Sequence, residues 1–600
     1  MLDERWKLRF TATELSLPSW CDAHPDRLAF ISNESGIRQV WALDLTTRER
    51  RQVSNDPVGV QHVLVAPDGR IVWWFDALGD EKGHWVGAPF EGGQPSPLVL
   101  GVPDAWSMGI SMVGDTIALG LSTDDDYRVY VAQAGRPARL LYRHEQPAGV
   151  GRGWPEGAGG LSVDGSLLCI RHAEHGNILH HALRVLEPRT GVAVGELEDA
   201  GRLLDPVAWS PRGARLLFTS ELGTFERPAI WDLTRGERRD LDVDLPGALI
   251  PVGWYPNGDA ILVRQEHQAV DRLHRVDIRT GQASLVADPG GEIEDATVRP
   301  DGDVWLSISD HELPQRPVTV GGRAVVEASG DPPPPGLPFR SFWFTNPAGN
   351  RIQALVVTPQ GTGPFPVVMH VHGGPEWHHR NRWEPEIQAL VDAGFAVALV
   401  NYRGSTGYGI AFRERLIGDP WFPESEDVLA CLDALVGEGV VDGDRAFFAG
   451  WSWGGCLACL NEGLHPERWR AVFAGIPAGD MVAAHWASMP SIRAYDVALY
   501  GGKPDELPKL YAERNPMTYV DRAKAPVLVI AGEHDPRCPV EGITPWINAL
   551  RERGVDVETY FYPAGHHANR TSEQIRHVEM ILEFLRRNLP ASPAPEGSEA

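Results

Sequence analysis

The stretch FFAGWSWGG, residues 447–455, decides the fold of the C-terminal half of this chain. An apolar run ends there in the pattern Gly-x-Ser-x-Gly, with Ser452 between Gly450 and Gly454, and a segment of small residues follows. This pattern is typical of a nucleophile elbow, a sharp turn from a strand into a helix. Glycines flank such a turn because larger side chains would collide with the neighbouring strand and helix, and because the nucleophile's backbone is strained. The sequence therefore predicts that Ser452 presents its hydroxyl at a helix N-terminus.

Apolar strands and amphipathic helices alternate around this elbow from residue 340 onward. The predicted strands include FPVVMHV, FAVALVN, AVFAGI, PVLVIAG and VETYFY, several of which end in glycine-rich turns. Strands that are apolar on both faces are typical of a buried parallel sheet. We therefore expect an α/β-hydrolase domain, doubly wound with a mostly parallel sheet, over residues 340–590. A Pro-, Ser- and Glu-rich tail over 591–600 is expected to be disordered.

A different pattern repeats through residues 21–328. Short alternating strands follow turns such as Pro67-Asp68-Gly69, and equivalent turn glycines recur every 44–51 residues as far as Gly302. Seven such periods, each with two to four strands, are typical of a β-propeller. We expect a seven-bladed β-propeller here, joined to the hydrolase domain by a linker over 329–339 that contains four consecutive prolines. Residues 1–20 form an N-terminal extension that could pack on the hydrolase domain.

Composition excludes several classes of function. The chain has 600 residues and a formal net charge of −26, which argues against nucleic-acid binding and is typical of a well-solvated protein. No apolar run approaches the length of a membrane span, and the charged first ten residues do not resemble a signal peptide. Six cysteines in such a chain do not form a disulfide framework, and Cys456 and Cys459 are expected to be small buried residues. These features together indicate a cytoplasmic protein.

The partners that Ser452 needs lie downstream in the order typical of α/β-hydrolases. Asp535 follows the strand PVLVIAG, at a carboxyl strand end where catalytic residues collect, and His566 follows the turn after YFYPAG. We expect His566 to act as the base and Asp535 to orient its imidazole. His567 is the alternative base, and Glu533 is the alternative acid.

Backbone amides are the expected stabilisers of the tetrahedral intermediate. One donor should be the N–H of Trp453, and the other should come from the loop HGGP at 372–375, where Gly374 is favoured over Gly373. His372 is expected to shape that loop. The pair His378-His379 has no carboxylate or cysteine at ligand spacing, so we expect surface histidines rather than a metal site, and we expect no cofactor.

Five motifs carry a resemblance to a known family. They are HGGP at 372–375, NYRGSTGYG at 401–409, GWSWGG at 450–455, GEHDPRCPV at 532–540 and AGHH at 564–567. Behind a sevenfold β repeat, they resemble the prolyl oligopeptidase family of serine peptidases, and most of all its acylaminoacyl-peptidase and dipeptidyl-aminopeptidase-like branch. The resemblance implies a Ser452–Asp535–His566 triad and a propeller that caps the site and admits only short or unfolded peptides.

The resemblance also bears on substrate binding. Arg537 matches an arginine that lines the substrate pocket in acylaminoacyl-peptidase relatives, although a salt bridge to the elbow region would also explain it. Trp451, inside the elbow motif, is the second candidate substrate-binding residue. His567 replaces a glycine usual after the base, and Trp421-Phe422 stand where relatives often have smaller residues, so these positions could reshape the pocket.

The sequence thus predicts a serine peptidase that cleaves short peptides or N-acyl and aminoacyl amides through an acyl-enzyme. A carboxylesterase, or an amidase acting on a puromycin-like aminoacyl antibiotic, is the alternative that uses the same triad. A propeller scaffold with a vestigial hydrolase domain is the non-enzymatic alternative. The expected partner is the substrate itself, without nucleic acid or membrane, and a homo-oligomer is left open.

Overall fold

The computed structural model describes residues 4–133, 136–152, 158–221 and 223–590. Antiparallel strands fill the N-terminal half, and strands alternate with helices from residue 340 onward. The tail over 591–600, which the sequence predicts to be disordered, lies outside the described residues. In the described part of the chain, no helix is both long enough and apolar enough to cross a lipid bilayer.

The strands of the N-terminal half are short, as a propeller requires. In chain order they are β1 (Ser19–Cys21), β2 (His24–Ser32), β3 (Gln39–Asp44), β4 (Arg50–Gln52), β5 (Val63–Val65), β6 (Ile71–Phe75), β7 (Lys82–Ala88), β8 (Ser96–Pro97), β9 (Ala105–Val113), β10 (Thr116–Ser122), β11 (Tyr127–Gln133), β12 (Arg139–His144), β13 (Ala148–Val150) and β14 (Leu168–His172). They continue with β15 (Ala182–Leu186), β16 (Ala193–Leu197), β17 (Leu204–Trp209), β18 (Arg215–Ser220), β19 (Arg227–Asp232), β20 (Glu237–Asp240), β21 (Ala248–Trp254), β22 (Ala260–His267), β23 (Val270–Asp277), β24 (Ala283–Ala287), β25 (Glu292–Val298), β26 (Val304–Ser309) and β27 (Arg316–Thr319).

Each strand pairs with its neighbour along the chain, in sets of three or four. The four-stranded sheets are β1–β4, β13–β16, β17–β20 and β21–β24, and β25–β27 form a three-stranded sheet. Strands β5–β8 and β9–β12 are joined into one sheet because β7 also pairs with β9. The propeller is therefore confirmed, while the count of seven blades stays a prediction because of that shared pairing.

The C-terminal half forms one sheet with helices on both faces. Its strands are β28 (Arg340–Thr345), β29 (Arg351–Val357), β30 (Phe365–Val371), β31 (Ala396–Asn401), β32 (Val441–Trp451), β33 (Val472–Gly475), β34 (Val527–Gly532) and β35 (Val557–Tyr562). The α-helices of the chain are α1 (Lys7–Phe10), α2 (Pro385–Asp392), α3 (Ile410–Arg413), α4 (Phe422–Gly437), α5 (Trp453–Leu464), α6 (Met481–Ala487), α7 (Pro490–Tyr500), α8 (Pro508–Arg514), α9 (Val540–Glu552) and α10 (Thr571–Arg587). Short 3₁₀ helices in the described residues span Glu4–Trp6, Glu414–Leu416 and Pro516–Arg522.

The order of strands in this sheet is β28-β29-β31-β30-β32-β33-β34-β35, antiparallel up to β31 and parallel from there on. Helices α4, α5 and α9 bury their apolar residues against one face, and α2 and α10 bury theirs against the other. The predicted α/β-hydrolase fold with a mostly parallel sheet is confirmed. Because β30, β32, β34 and β35 are parallel, the residues that follow them meet at one edge of the sheet.

The N-terminal segment lies against the hydrolase domain. Trp6 and Phe10 are buried in the same apolar cluster as α2 and α10. Arg9 Nη1 lies 2.6 Å from Asp392 Oδ2, at the end of α2. The chain therefore starts and finishes its described course on the same face of the hydrolase sheet.

Buried arginines of the hydrolase domain join it to the propeller. Arg380 lies 3.2 Å from Glu266, 3.4 Å from Asp271 and 3.2 Å from Glu292, all of which belong to propeller strands or their ends. Breaking one member of such a buried cluster would leave an unpaired charge out of water, which costs several kcal/mol. These ion pairs therefore hold the two domains in a defined relation.

The elbow depends on a glycine that no other residue can replace. A Cβ on Gly454, in the first turn of α5, would lie 2.3 Å from the carbonyl oxygen of Val371 in β30. We expect Gly454→Ala to lower the free energy of unfolding by about 2 kcal/mol or more, because strand and helix must separate. Gly437→Ala is the matched control, since a Cβ there meets no atom within 4 Å. Thermal unfolding of the two variants checks this, and equal midpoints would contradict it.

Candidate active site

Ser452, His566 and Asp535 form a continuous hydrogen-bonded chain at the carboxyl edge of the sheet. Ser452 Oγ lies 3.0 Å from His566 Nε2, and His566 Nδ1 lies 2.7 Å from Asp535 Oδ2. His566 and Asp535 are almost completely buried. Of the two alternatives from the sequence, Glu533 is exposed, and His567 lies beside the His566 ring with a centroid distance of 5.2 Å. The geometry thus brings together the three residues that the sequence favours.

The backbone at Ser452 is strained and is held in place from both sides. Its φ of +56° and ψ of −119° are rarely adopted by a residue with a side chain. Its N–H donates to the carbonyl oxygen of Gly475 at 2.8 Å, and its carbonyl accepts from Cys456 N at 2.9 Å. Trp453 is the first residue of α5, so its N–H has no carbonyl one turn earlier to bond.

Backbone amides keep Asp535 charged. Its Oδ1 accepts from the N–H groups of Arg537 and Cys538 at 2.8 and 2.9 Å. Burial alone would raise the pKa of Asp535, but the His566 ring and these two amides together hold that pKa below its usual value. An ionised carboxylate fixes the tautomer of His566 with the proton on Nδ1, which leaves Nε2 to accept from the serine.

The glycine-rich loop after β30 lies directly against the nucleophile. A Cβ on Gly373 would lie 3.3 Å from Ser452 Cβ, whereas Gly374 has a φ of +119° and faces the backbone of Glu376. His372 shapes this loop, since its Nδ1 lies 2.7 Å from the carbonyl oxygen of Gly373 and its ring stacks on Tyr402. Burial lowers the pKa of His372 to about 3, so it stays neutral and acts as a fixed hydrogen-bond donor.

The prediction that His378 and His379 are surface residues is wrong. His378 is completely buried and His379 is 4% exposed, and burial lowers the pKa of both rings well below the usual value. His378 Nδ1 lies 2.8 Å from the hydroxyl of Thr406, and the His379 N–H donates to Asn401. Both therefore pack the loops behind the site, a position set by tertiary contacts that their spacing in the sequence does not reveal.

The sequence led us to expect that Trp451 contacts the substrate. In the structure, its side chain does not face the substrate side of the sheet. Its Nε1 donates to Glu386 Oε2 at 2.9 Å, and its ring packs against Phe473 and His577. The alternation of side chains along β32 explains this: Ser452 presents its hydroxyl to one side, and the preceding residue lies on the other. Trp451 therefore supports the elbow from the side of the sheet opposite to the Ser452 hydroxyl.

Trp421 is buried in an aromatic cluster behind the elbow, and whether the pair at 421–422 alters the pocket stays a prediction. Trp421 stacks on Trp453 with ring centroids 3.7 Å apart and donates to Tyr500 Oη. Glu424 completes the cluster, accepting from Trp453 Nε1 at 3.3 Å. Burial raises the pKa of Glu424 to about 8. This carboxyl is therefore protonated at neutral pH.

A cavity of about 740 Å³ lies beside His566 and is lined by residues of both domains. The hydrolase domain contributes His566, His567 and Arg537, and the α7 side chains Ile492 and Tyr495 form an apolar wall. Propeller residues close the other side, among them His62, Trp74, Glu81 and Trp106. A sequence pattern does not reveal these propeller residues, since they come together only when the blades close.

Arg537 reaches this cavity and pairs across the domain boundary. Its Nε lies 2.7 Å from Glu81 Oε1, and its Nη2 lies 3.0 Å from Glu81 Oε2. The alternative of a salt bridge to the elbow region is wrong, because the partner belongs to the propeller. The two residues are 456 positions apart, and no local signal could have joined them.

Within the described ranges, two groups of side chains each bring three ligand-type atoms within 4.8 Å of one another. The first is Asp535, Cys538 and His566, in which the carboxylate and imidazole already bond each other. The second is His180, Glu221 and Glu414, where Arg413 Nη2 lies 2.6 Å from Glu221 and 3.0 Å from Glu414. An arginine within the second group occupies the place that a cation would take.

Comparisons with known proteins found similarity in both sequence and fold. Residues 381–592 match the model of the prolyl oligopeptidase family. The chain is 31% identical over 230 residues to the human acylamino-acid-releasing enzyme, a match that covers 37% of this chain and 31% of that protein. It is 27% identical over 235 residues to the uncharacterized peptidase YuxL of Bacillus subtilis, covering 38% and 36%. The chain thus aligns with about a third of the length of these curated relatives.

The likeness in fold extends over the whole molecule. The crystal structure of a puromycin hydrolase superposes with a TM-score of 0.81 and 20% identity, covering 98% of this chain and 97% of that one. The fold is that of a β-propeller joined to an α/β-hydrolase domain. Residues 381–592 match the prolyl oligopeptidase family, and over the aligned region the chain is similar to the acylamino-acid-releasing enzymes.

Replacing the acid should distinguish the two carboxylates near the base. We expect Asp535→Asn to lower kcat/KM for a p-nitroanilide substrate by roughly 10³-fold or more, because His566 would lose its tautomer and its counter-charge. Glu533→Gln, two residues away and exposed, is the matched control and should stay within about twofold of wild type. A larger loss in Glu533→Gln than in Asp535→Asn would contradict the assignment.

The protonated Glu424 should make stability fall as pH rises. Because its pKa is about 8 in the fold and 4.5 in an exposed glutamate, the folded state binds more protons between those values, and stability declines through that range. We expect Glu424→Gln to be more stable than wild type at pH 8 by a few kcal/mol, and to differ little at pH 5. Urea unfolding at both pH values checks this, with the exposed Glu583→Gln as control. An equal effect at both pH values would contradict it.

Proposed function

We propose that this protein is a serine peptidase that cleaves short peptides or N-acyl and aminoacyl amides through an acyl-enzyme on Ser452. The observation that carries the proposal is the bonded chain from Ser452 through His566 to Asp535, opening into a cavity closed by the propeller. Nucleophilic acyl transfer needs a serine with a base close enough to take its proton. Ser452 lies at a helix N-terminus, and the His566 imidazole lies 3.0 Å from its hydroxyl.

The reaction follows from the positions of these groups. Ser452 Oγ attacks the carbonyl carbon while His566 Nε2 takes its proton, and Asp535 stabilises the imidazolium without taking a proton itself. The imidazolium then gives that proton to the leaving nitrogen, so the C–N bond breaks and the acyl group stays on Ser452. A water molecule, deprotonated by the same Nε2, attacks the ester carbonyl carbon. The bond to Ser452 Oγ then breaks, Nε2 returns the proton to that oxygen, and the acid is released.

The oxyanion of the intermediate needs two donors. We assign one to the N–H of Trp453, which α5 leaves without an internal partner. The other comes from the loop after β30, through Gly374 or Gly373. Gly373 packs against Ser452 itself, and Gly374 adopts a φ of +119° that a glycine tolerates.

The enclosed cavity limits the substrate in size. A volume of about 740 Å³ suits a ligand of a few residues, and domains held together by buried ion pairs exclude a folded protein. The apolar wall of Ile492 and Tyr495 favours an apolar side chain next to the scissile bond, and Arg537 is the candidate contact for a substrate carbonyl.

A second function of the same triad is amide cleavage of an aminoacyl antibiotic or of a carboxylic ester. The likeness to a puromycin hydrolase over 98% of this chain favours the antibiotic amidase among these. Its substrate would use the same nucleophile and the same cavity. The scaffold alternative from the sequence receives no support from a site in which all three members are in contact.

Two further features complete the proposal. Six free cysteines, five of them buried, support a reducing cytoplasmic location. Two points stay predictions. One is the set of domain limits at 21–328, 329–339 and 340–590, and the other is the homo-oligomer that the sequence left open.

Covalent labelling tests the proposal directly. We expect a fluorophosphonate to add once to wild type, and intact mass to show no adduct on Ser452→Ala. Ser491→Ala is the matched control, because Ser491 lines the same cavity outside the bonded chain. With a p-nitroanilide and a p-nitrophenyl ester of the same acyl group, an amide rate above buffer identifies a peptidase or amidase.

An adduct combined with ester cleavage alone would replace the peptidase with the carboxylesterase. The absence of any adduct on folded wild type would overturn the assignment of Ser452.

A further inference from the structure

Most charged groups in the catalytic cavity already have a partner. Glu81 pairs with Arg537 through two contacts, and Arg152 Nε lies 2.9 Å from Asp205. Asp76 accepts from three backbone N–H groups at 2.7–3.0 Å. A charged part of a substrate must therefore be recognised by a group outside these pairs.

Glu376 is such a group. Its side chain is 42% exposed, and it lines both the catalytic cavity and an adjoining cavity of about 370 Å³. Among the described residues, its nearest recorded cation is Arg413, whose Nε lies 4.0 Å away. That distance is at the limit for an ion pair, so Glu376 keeps its hydrogen-bonding capacity.

Arg413 is already saturated by other carboxylates. Its terminal nitrogens lie 2.6 Å from Glu221, 3.0 Å from Glu226 and 3.0 Å from Glu414. With Glu376 added, four carboxylates surround one guanidinium, and His180 lies 2.9 Å from Glu414 as a further basic group. The neighbourhood of Glu376 therefore has an excess of negative charge.

Glu226 provides a second, independent sign that carboxylates outnumber donors in this region. It is 8% exposed, and its Oε1 accepts from Arg413 Nη1 at 3.0 Å. Its buried Oε2 has no hydrogen-bond partner in the part of the chain that the structure describes. Since Glu226 lines the same adjoining cavity as Glu376, an unpaired carboxylate oxygen borders the space beside Glu376. Buried oxygens of this kind call for a donor.

The arginines of the adjoining cavity do not supply that donor, because they hold carboxylates of their own. The pairs are Arg264 with Glu266, Arg380 with Glu266, Asp271 and Glu292, and Arg382 with Glu292 and Glu384.

The position of Glu376 relates this charge to the reaction. Glu376 is two residues after Gly374, on the loop whose Gly373 packs against Ser452, and it shares the cavity with His566. A substrate whose carbonyl oxygen lies at that loop has the preceding part of its chain close to Glu376. In a short peptide that part ends in an ammonium group, which carries three donors and a positive charge.

We propose that Glu376 binds the free ammonium group at the amino terminus of the substrate, so that this enzyme acts on free rather than N-acylated termini. The inference rests on the proposed peptidase function and narrows its substrate class. An N-acetyl group would remove the charge that Glu376 recognises and leave its carboxylate unpaired.

Matched substrates test this. Kinetics would be measured on Phe-p-nitroanilide and Gly-Phe-p-nitroanilide, each with a free and an acetylated terminus. For whichever of the two substrates wild type cleaves faster, we expect a higher kcat/KM with the free amino terminus than with the acetylated one. Glu376→Gln should lose about 10- to 100-fold in kcat/KM on the free form, as expected for a lost charged hydrogen bond, and should change little on the acetylated form. Glu583→Gln, exposed on α10, is the control and should match wild type on both.

A second readout does not depend on turnover. Phenylalanine amide should protect Ser452 from fluorophosphonate labelling at lower concentration than N-acetylphenylalanine amide, and Glu376→Gln should remove that difference. The labelling rate without amide should be unchanged in Glu376→Gln, which excludes a general loss of structure.

The outcomes separate the two proposals. Wild type that prefers acetylated substrates, or equal losses on both forms in Glu376→Gln, would overturn the role of Glu376 while the peptidase function stands. Wild type that is labelled but cleaves no p-nitroanilide would refute the peptidase function, and the protection experiment would then decide the role of Glu376 alone.

Discussion

The close packing of backbone at the elbow is the constraint on which the rest of the site depends. Ser452 has a left-handed φ of +56° and is held there by the carbonyl of Gly475 on one side and the first turn of α5 on the other. Strain of this kind costs about 1–3 kcal/mol and persists only where the surrounding structure imposes it. The apolar sheet provides that structure, and it also aligns the strand ends that carry Asp535 and His566. The position of the nucleophile is thus a consequence of packing.

Charge organises the second half of the site, where the propeller meets the hydrolase domain. Pairs such as Arg380 with Glu292 and Arg537 with Glu81 hold the domains together and close the cavity over the catalytic chain. Because these charged side chains pair with one another, a charged group in the cavity without a close partner indicates which charge the substrate carries. Glu376 is exposed to the cavity and only distantly paired, so it carries the charge preference of the site. A strongly acidic protein can in this way discriminate substrates through one or two carboxylates.

The elbow, the order Ser452, Asp535, His566 and the β repeat could be predicted from the sequence, because each is encoded by local residue types and spacing. The resemblance to a known family also allowed the HGGP loop to be predicted as part of the site. Features that depend on tertiary contact could not be predicted in the same way. His378 and His379 looked like surface residues because burial leaves no trace in their spacing, and Trp451 looked like a substrate contact because its motif does not show which face it occupies. The pairing of Arg537 with Glu81 joins residues from different domains, and Glu376 had no signal beyond its place after the glycines.

Acyl transfer to Ser452 is the central claim, and pre-steady-state kinetics with a p-nitrophenyl ester tests it most directly. Release of p-nitrophenol should show a burst equal to one equivalent per chain, followed by slower turnover, with the acyl group recovered on the peptide that contains Ser452. The burst should disappear when His566 is replaced by Gln, because the serine would keep its proton. Linear release without a burst, together with no acylated peptide in protein quenched during turnover, would contradict the account.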